Sequence, residues 1–181
     1  LLQAVIDEGF RGLDRALDAT ARTDDPVADL FGQALASRYL AQANPHLYDL
    51  MFGLSTRGSY RAPAALNHVG GHSEGFQAPY SRLVEASTRL VHSGRIRSGE
   101  DPESVATQLW SSVHGFITLE LADHFARFRN PLNQVLEPMM VNLVVGMGAS
   151  REEAVASHAA AIATWRRRVR REQARARAAR V

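Results

Sequence analysis

The chain has 181 residues, of which 45% are hydrophobic and 22% charged, as in an ordinary soluble domain with a sizeable core. It has no cysteine, which excludes disulfide frameworks, thiolate metal sites and a cysteine nucleophile. The net charge of +2 is unevenly divided, since residues 166–181 carry eight arginines and one glutamate and therefore +7, which leaves −5 for the rest.

Helical periodicity with clear start signals covers the beginning of the chain. Residues 1–21 place apolar side chains on one side of a helix and charged side chains on the other. A second helix is predicted over residues 26–42, because Asp25 can cap it and the proline that follows suits the first helical position. An asparagine–proline pair repeats this signal before a short apolar helix over residues 46–52.

The rest of the chain is also helical, after a glycine- and serine-rich loop over residues 53–75. The helices predicted beyond it cover residues 76–93, 102–125, 131–148 and 151 onwards. Pro138 is expected to kink or restart the third of these four helices. Neither a strand nor an internal repeat is apparent, so the sequence predicts an all-α bundle of about six to seven helices.

The stretch from Leu109 to Phe125 has two distinct faces when it is set on a helix. One face is a broad apolar arc formed by Leu109, Trp110, Val113, Phe116, Ile117 and Leu121. The other is a strip of small residues formed by Ser111, Gly115, Thr118 and Ala122. A broad apolar arc requires a core or a pocket, whereas a small-residue strip lets another helix approach closely. Trp110 and His114 are either core residues or the border of a ligand cavity, and Glu120, inside the arc, must be paired, neutralised or used.

Three weaker patterns favour simple interpretations. Residues 71–75 match G-x-S-x-G, but no buried strand precedes them, so a turn is favoured over a serine hydrolase. His68 and His72 lie four residues apart in the same loop, which favours polar loop histidines over a metal site. The arginine-rich end is favoured as a solvated helix terminus, with phosphate binding as the alternative. We therefore expect no catalytic residue, no metal and no cofactor.

Three segments carry a resemblance to a known family: Asn44–Gly53 (NPHLYDLMFG), Leu109–Gly115 (LWSSVHG) and Leu119–Leu121 (LEL). They resemble the C-terminal domain of TetR-family transcriptional regulators, and above all the subgroup with a Trp-x-x-x-His-Gly signature. The opening residues, LLQAVIDEGFRGL, resemble the helix that follows the DNA-binding headpiece of that family. The resemblance spans residues 1–149.

This resemblance implies a homodimeric regulator. An N-terminal helix-turn-helix would bind operator DNA, and a helical C-terminal domain would bind a small, largely apolar effector. Two late helices of each subunit form a four-helix dimer bundle in this family, and residues 109–125 and 135–148 match them. The residues expected at the dimer contact are Ser111, Gly115, Thr118, Ala122, Met139, Met140, Leu143, Val144 and Met147. The residues expected to line the effector cavity are Phe31, Leu35, Tyr39, Met51, Phe52, Phe76, Tyr80, Leu83, Trp110, Val113, His114, Ile117 and Glu120.

These inferences divide the chain into an effector-binding and dimerisation domain, residues 1–149, and a C-terminal helix with an arginine-rich tail, residues 150–181. The helix-turn-helix is expected upstream of Leu1. We expect a cytoplasmic repressor. No membrane span is expected, since the longest apolar run, residues 135–147, is shorter than the roughly 18–20 residues that a span requires. The alternative is a ligand-free structural dimer whose arginine-rich tail contacts nucleic acid by charge alone.

Overall fold

Seven α-helices and no strand occur in the part of the chain that the computed structural model describes, residues 2–52 and 74–179. They are α1 (Leu2–Asp18), α2 (Pro26–Ala43), α3 (Pro45–Phe52), α4 (Glu74–His92), α5 (Pro102–Leu121), α6 (Glu137–Gly146) and α7 (Arg151–Ala178). The predicted all-α fold is confirmed. None of the described helices combines the length and the apolar character that a membrane crossing requires.

The loop predicted before residue 76 lies outside the described residues, apart from Glu74 and Gly75, which already belong to α4. Ser73 of the G-x-S-x-G match and the pair formed by His68 and His72 lie outside them as well.

Short polar side chains cap the beginnings of three helices, α2, α5 and α7, at the predicted positions. Asp25 accepts hydrogen bonds from the second and third amides of α2, both at 3.1 Å. Asp101 accepts one from the amide of Ser104 at 2.8 Å, and Ser150 one from the amide of Glu153 at 3.5 Å. Each of these bonds satisfies an amide that the first turn of a helix leaves without a partner.

The interruption expected near Pro138 takes the form of a π-helical turn. This turn, Leu132–Leu136, directly precedes α6, in which Pro138 is the second residue. A proline has no amide hydrogen to donate to the carbonyl four residues earlier, so the regular α-helical ladder cannot run through it.

The helix at the centre of the bundle is α2, which packs against α1, α3, α4, α5 and α7. Its side chains are buried on several sides, and the buried apolar ones are Val27, Leu30, Phe31, Ala34, Leu35, Ala36 and Ala41. From the sequence alone, α5 stands out instead. Because α2 is apolar on several sides, it has no distinct amphipathic face that would mark it as the central helix.

The first half of α7 belongs to the same core. Ala154, Ala161 and Ile162 are buried in the cluster that also contains α2, α5 and α6. His158 is 1% exposed, its ring lies 4.4 Å from that of Phe31, and burial lowers its pKa. The division of the chain into a domain of residues 1–149 and a C-terminal helix of residues 150–181 stays a prediction.

A buried carboxylate links the beginning of α2 to α4. Asp29, which is 5% exposed, accepts hydrogen bonds from the backbone amide and the hydroxyl of Thr23 at 2.8 Å each. It also accepts one from Arg89 of α4 at 2.8 Å, and Arg89 donates a further bond to the carbonyl of Thr23. A buried charge is tolerated only when its oxygens are satisfied in this way.

Substitution of Asp29 by alanine is therefore expected to lower the free energy of unfolding by about 3 kcal/mol, because Arg89 loses its partner in a half-buried position. Urea unfolding at neutral pH measures this change. The matched control is Asp24→Ala, at an exposed carboxylate just before α2. It should change the free energy of unfolding by less than about 0.5 kcal/mol. Equal effects of the two substitutions would contradict the assignment.

Candidate functional site

A cavity lined mostly by aromatic and aliphatic side chains lies between α1, α2, α4 and α5. We call it the aromatic cavity, and it opens to solvent at its mouth. Its described lining residues are Leu13, Leu17, Leu30, Gln33, Ala34, Ser37, Phe52, Phe76, Pro79, Tyr80, Leu83, Leu109, Trp110, Val113, His114 and Met140. A concave, apolar space with a few polar groups has the character of a small-molecule site.

Helical spacing explains how each wall of the aromatic cavity forms. The wall from α2 consists of Leu30, Gln33, Ala34 and Ser37, and that from α4 of Phe76, Pro79, Tyr80 and Leu83. Both sets follow the spacing i, i+3, i+4 and i+7, which brings four side chains to one face of a helix. From α5 come Leu109, Trp110, Val113 and His114, two adjacent pairs one turn apart.

Five of the described lining residues carry aromatic rings, and these rings contact one another. Phe76 stacks on Tyr80 and on Trp110, with ring centroids 5.5 and 4.8 Å away, and Tyr80 is tilted against Trp110 at 5.5 Å. Trp110 and Phe52 each meet the His114 ring edge to face, at 5.2 and 4.2 Å. Offset stacking and edge-to-face contacts are the favoured arrangements of aromatic pairs, so the rings hold one another in place.

His114 is neutral in this environment. The hydroxyl of Tyr48, which is itself 1% exposed, lies 2.5 Å from His114 Nδ1. Burial lowers the pKa of His114 to about 3 and raises the pKa of Tyr48, so both groups are uncharged and the imidazole tautomer decides which of them donates the hydrogen bond.

Gln33 carries a polar atom without a hydrogen-bond partner. Its Oε1 is buried and accepts no hydrogen bond in the described part of the protein. Leaving such an acceptor unsatisfied costs about 1–3 kcal/mol. One turn further along α2, the hydroxyl of Ser37 donates to the backbone carbonyl of Gln33 at 3.0 Å, so its lone pairs are what it offers to the cavity.

The structure brings seven of the thirteen predicted effector-site residues together at the aromatic cavity: Phe52, Phe76, Tyr80, Leu83, Trp110, Val113 and His114. The other six lie elsewhere. Phe31, Leu35 and Ile117 are buried in the main core, and Met51 is buried in a second cluster with Phe10. Tyr39 is 47% exposed, with its ring against Trp165. That the seven bind a ligand stays a prediction.

Glu120 pairs with an arginine. Arg38 of α2 donates to both of its carboxylate oxygens, from Nε at 2.8 Å and from Nη2 at 2.6 Å, and Gln42 adds a third bond at 3.3 Å. A two-pronged arginine–carboxylate pair has the favoured geometry for such contacts. The carboxylate that stands out on the apolar arc of α5 therefore ties α5 to α2.

The cavity residues that sequence reasoning missed belong mainly to α1 and α2. They are Leu13, Leu17, Leu30, Gln33, Ala34, Ser37, Pro79, Leu109 and Met140. Leu13 and Leu17 are recognisable as the apolar side of α1, but periodicity cannot tell a cavity wall from a core contact. The sequence contains one indication of this cavity wall: Gln33 and Ser37 are polar residues that interrupt the apolar surface of α2 one turn apart.

A second concave region adjoins the aromatic cavity. This polar pocket, of about 500 Å³ with open solvent included, shares Leu17 and Gln33 with it. Three arginines and three carboxylates line it, and each arginine is paired: Arg22 with Glu85, Arg82 with Asp18 and Arg89 with Asp29, at 2.7 to 2.8 Å. The polar pocket therefore presents no unpaired charge among the described residues.

The residues predicted for a dimer contact divide between surface and core. Those that are exposed or half-buried are Ser111, Gly115, Thr118, Ala122, Met139 and Leu143. Met140, Val144 and Met147 are buried in the core of the protomer itself. Because α6 is apolar almost all round, its sequence could not separate these two faces. The exposed strip of α5 also contains Leu119, which is 45% exposed and was not predicted.

Residues 30–143 of the chain match the family model described as Tetracyclin repressor-like, C-terminal domain. Among solved structures, the chain is similar to a protein of unknown function from Rhodococcus sp. RHA1, with a TM-score of 0.62. The two sequences are 24% identical over 82% of this chain and 73% of that chain, a likeness of fold. The search of curated proteins found no match.

The neutral state of His114 predicts a loss of stability on acidification. Its pKa is about 3 in the folded protein and about 6.5 in the unfolded chain, so below pH 6.5 the unfolded state binds one more proton. The free energy of unfolding should fall as the pH decreases from 6.5 towards 3, by up to about 1.4 kcal/mol per pH unit. In His114→Gln this contribution disappears.

Urea unfolding of both proteins at pH 7, 6 and 5 measures the difference. The wild-type advantage over His114→Gln should shrink as the pH falls, while the effect of the second buried histidine, His158, is common to both and cancels. Parallel pH profiles of the two proteins would show that His114 gains its proton as easily in the folded state as in the unfolded state.

Proposed function

Because the chain belongs to the family of tetracyclin repressor-like C-terminal domains, we propose that it is the effector-binding and homodimerisation part of a ligand-responsive regulator, a repressor. A helix-turn-helix domain N-terminal to it would bind operator DNA. A small, largely apolar effector would occupy the aromatic cavity, and its binding would favour one arrangement of the two subunits over another.

One observation carries this proposal: α5 takes part in two surfaces at once. Trp110, Val113 and His114 line the aromatic cavity. Ser111 and Gly115, on another side of the helix, are exposed. A ligand that displaces the cavity face of α5 therefore displaces the exposed face with it, because a helix moves as a rigid element.

The exposed faces of α5 and α6 support a contact between two copies of the chain. An added Cβ at Gly115 or Gly146 would meet no atom of the described residues within 4 Å, so no contact within that part of the protomer requires glycine at either position. Glycine within a helix costs about 0.5–1 kcal/mol relative to alanine. The close approach of a second helix at these positions explains why the cost is tolerated.

In this proposal the dimer contact consists of the outer residues alone. On α5 these are Ser111, Gly115, Thr118, Leu119 and Ala122, and on α6 they are Met139, Leu143 and Gly146. Two such helices from each subunit would form a four-helix bundle around a two-fold axis. Met140, Val144 and Met147 would support the bundle from inside each protomer.

The alternative of a ligand-free structural dimer rests on the arginine-rich end of α7. Six exposed arginines in the C-terminal half of α7 form no ion pair with any described residue: Arg166, Arg167, Arg170, Arg171, Arg175 and Arg177. Such a cluster suits phosphate groups, and contact with nucleic acid stays a prediction. The aromatic cavity favours the ligand-responsive function over this alternative.

Substitution of Ser111 by arginine tests the dimer. The wild-type protein is expected to sediment as a dimer at micromolar concentration, and Ser111→Arg as a monomer, because the interface would bury an unpaired charge. Ser81→Arg, which adds the same side chain to an exposed position of α4, should leave the dimer intact. A monomeric wild-type protein, or a dimeric Ser111→Arg variant, would overturn the proposed interface.

Substitution of Gly115 by alanine should have opposite effects on the monomer and the dimer. In the Ser111→Arg background it should raise the free energy of unfolding by about 0.5–1 kcal/mol, because alanine favours the helix. In the otherwise wild-type protein it should weaken dimerisation, which sedimentation equilibrium measures. Gly32→Ala is the matched control, since Gly32 also has no atom within 4 Å of an added Cβ but lies on α2. If both substitutions leave the dimer equally tight, close helix approach at Gly115 is wrong.

A further inference from the structure

The chemistry of the aromatic cavity narrows the class of effector. Resting on the proposed function, we infer that the cavity takes an uncharged, flat aromatic molecule that carries an O–H or N–H group and donates it to Oε1 of Gln33.

The shape of the ligand follows from the five aromatic rings. Phe76 stacks on both Tyr80 and Trp110, at interplanar angles of 22° and 30°, while Tyr80 and Trp110 are tilted at 52° to each other, so the three rings form a group that offers both faces and edges. A flat aromatic molecule can add its ring to such a group by an offset-stacked or edge-to-face contact, whereas a branched aliphatic one cannot. Apart from Gln33 and Ser37, the remaining lining is aliphatic and comes from α1, α2, α4, α5 and α6.

That the ligand is uncharged follows from the residues that line the cavity. Among its described residues there is no aspartate, glutamate or arginine, and burial keeps His114 neutral. The neighbouring polar pocket offers no compensation, because each of its three arginines is already paired with a carboxylate. An anion or a cation would therefore lose its hydration without gaining a counter-charge.

That the ligand carries a hydrogen-bond donor follows from the polar groups that α2 contributes to the cavity wall. Oε1 of Gln33 is buried without a hydrogen-bond partner in the described protein. The hydroxyl of Ser37 has used its hydrogen on the backbone carbonyl of Gln33 and offers lone pairs. Both groups therefore call for a donor from the ligand. A molecule that supplies it satisfies an acceptor that has no partner among the described residues.

The position of Gln33 also sets the orientation of the ligand. Gln33 and Leu17 line both the aromatic cavity and the polar pocket, so they lie at the boundary between the two. The donor group of the ligand would face this boundary, and its ring system would lie against Trp110 and Phe76. Additional uncharged polar substituents would extend into the polar pocket, where water remains available.

Four probes with the same fused ring system test this inference by isothermal titration calorimetry at pH 7. They are 2-naphthol, which has a donor, 2-methoxynaphthalene, which has only an acceptor, 2-naphthoate, an anion, and 2-naphthylmethylammonium, a cation. Wild-type protein should bind 2-naphthol about tenfold more tightly than 2-methoxynaphthalene, the effect of one hydrogen bond to a buried acceptor. The two ions should bind about a hundredfold more weakly than 2-naphthol.

The variant that tests the acceptor is Gln33→Met, which keeps the length of the side chain and removes its polar atoms. It should bind the two neutral probes within about threefold of each other, because the group that distinguishes them is gone. Gln77→Met, at an exposed position of α4, is the matched control and should keep the wild-type preference. The comparison of probes in the wild-type protein requires no variant, so it stands even if Gln33→Met folds poorly.

Three results would overturn the inference: tight binding of either ion, an unchanged preference in Gln33→Met, or no binding of any neutral probe. Binding of 2-naphthoate in place of 2-naphthol would leave the proposed function standing, since the cavity would still bind a small molecule. The dimer measurements on Ser111→Arg judge the proposed function separately from all four probes.

Discussion

Two charged pairs hold α2 in register with its neighbours, and the aromatic cavity depends on both. Asp29 binds Arg89 of α4 near the beginning of α2, and Arg38 binds Glu120 of α5 one residue beyond the cavity wall. The α2 residues that line the cavity lie between these pairs, and α4 and α5 supply the aromatic rings opposite. Buried pairs add little net stability but are costly to break, so their main effect is to fix which side chains face one another.

Helix positions follow from the sequence because their determinants are local. Asp25 and Asp101 each cap a helix through amides two or three residues away, and a proline follows each of them. The π-helical turn before α6 is different. A proline announces an interruption, but the form that the interruption takes depends on how the helix packs against the rest of the core.

The candidate site could be derived only in part, for a physical reason. Trp110 and His114 stand out on α5 because that helix has distinct faces, whereas Gln33 lies on a helix that is apolar on several sides and gives no direction to its polar residues. Glu120 shows the same limit. Its place on an apolar arc demands a partner, but Arg38 lies 82 residues away in the chain, and only the packing of α2 against α5 brings them together.

The two tryptophans of the chain occupy different environments, so the protein contains its own optical reporters. Trp110 stacks on Phe76 in the wall of the aromatic cavity, where an arriving ring system changes the surroundings of the indole. Trp165 lies on α7 against Tyr39, with the Arg168 guanidinium 5.3 Å from its ring, and reports on the contact between α7 and α2. Intrinsic fluorescence can therefore follow the occupation of the cavity and the docking of the last helix as separate events, once either indole is replaced by phenylalanine.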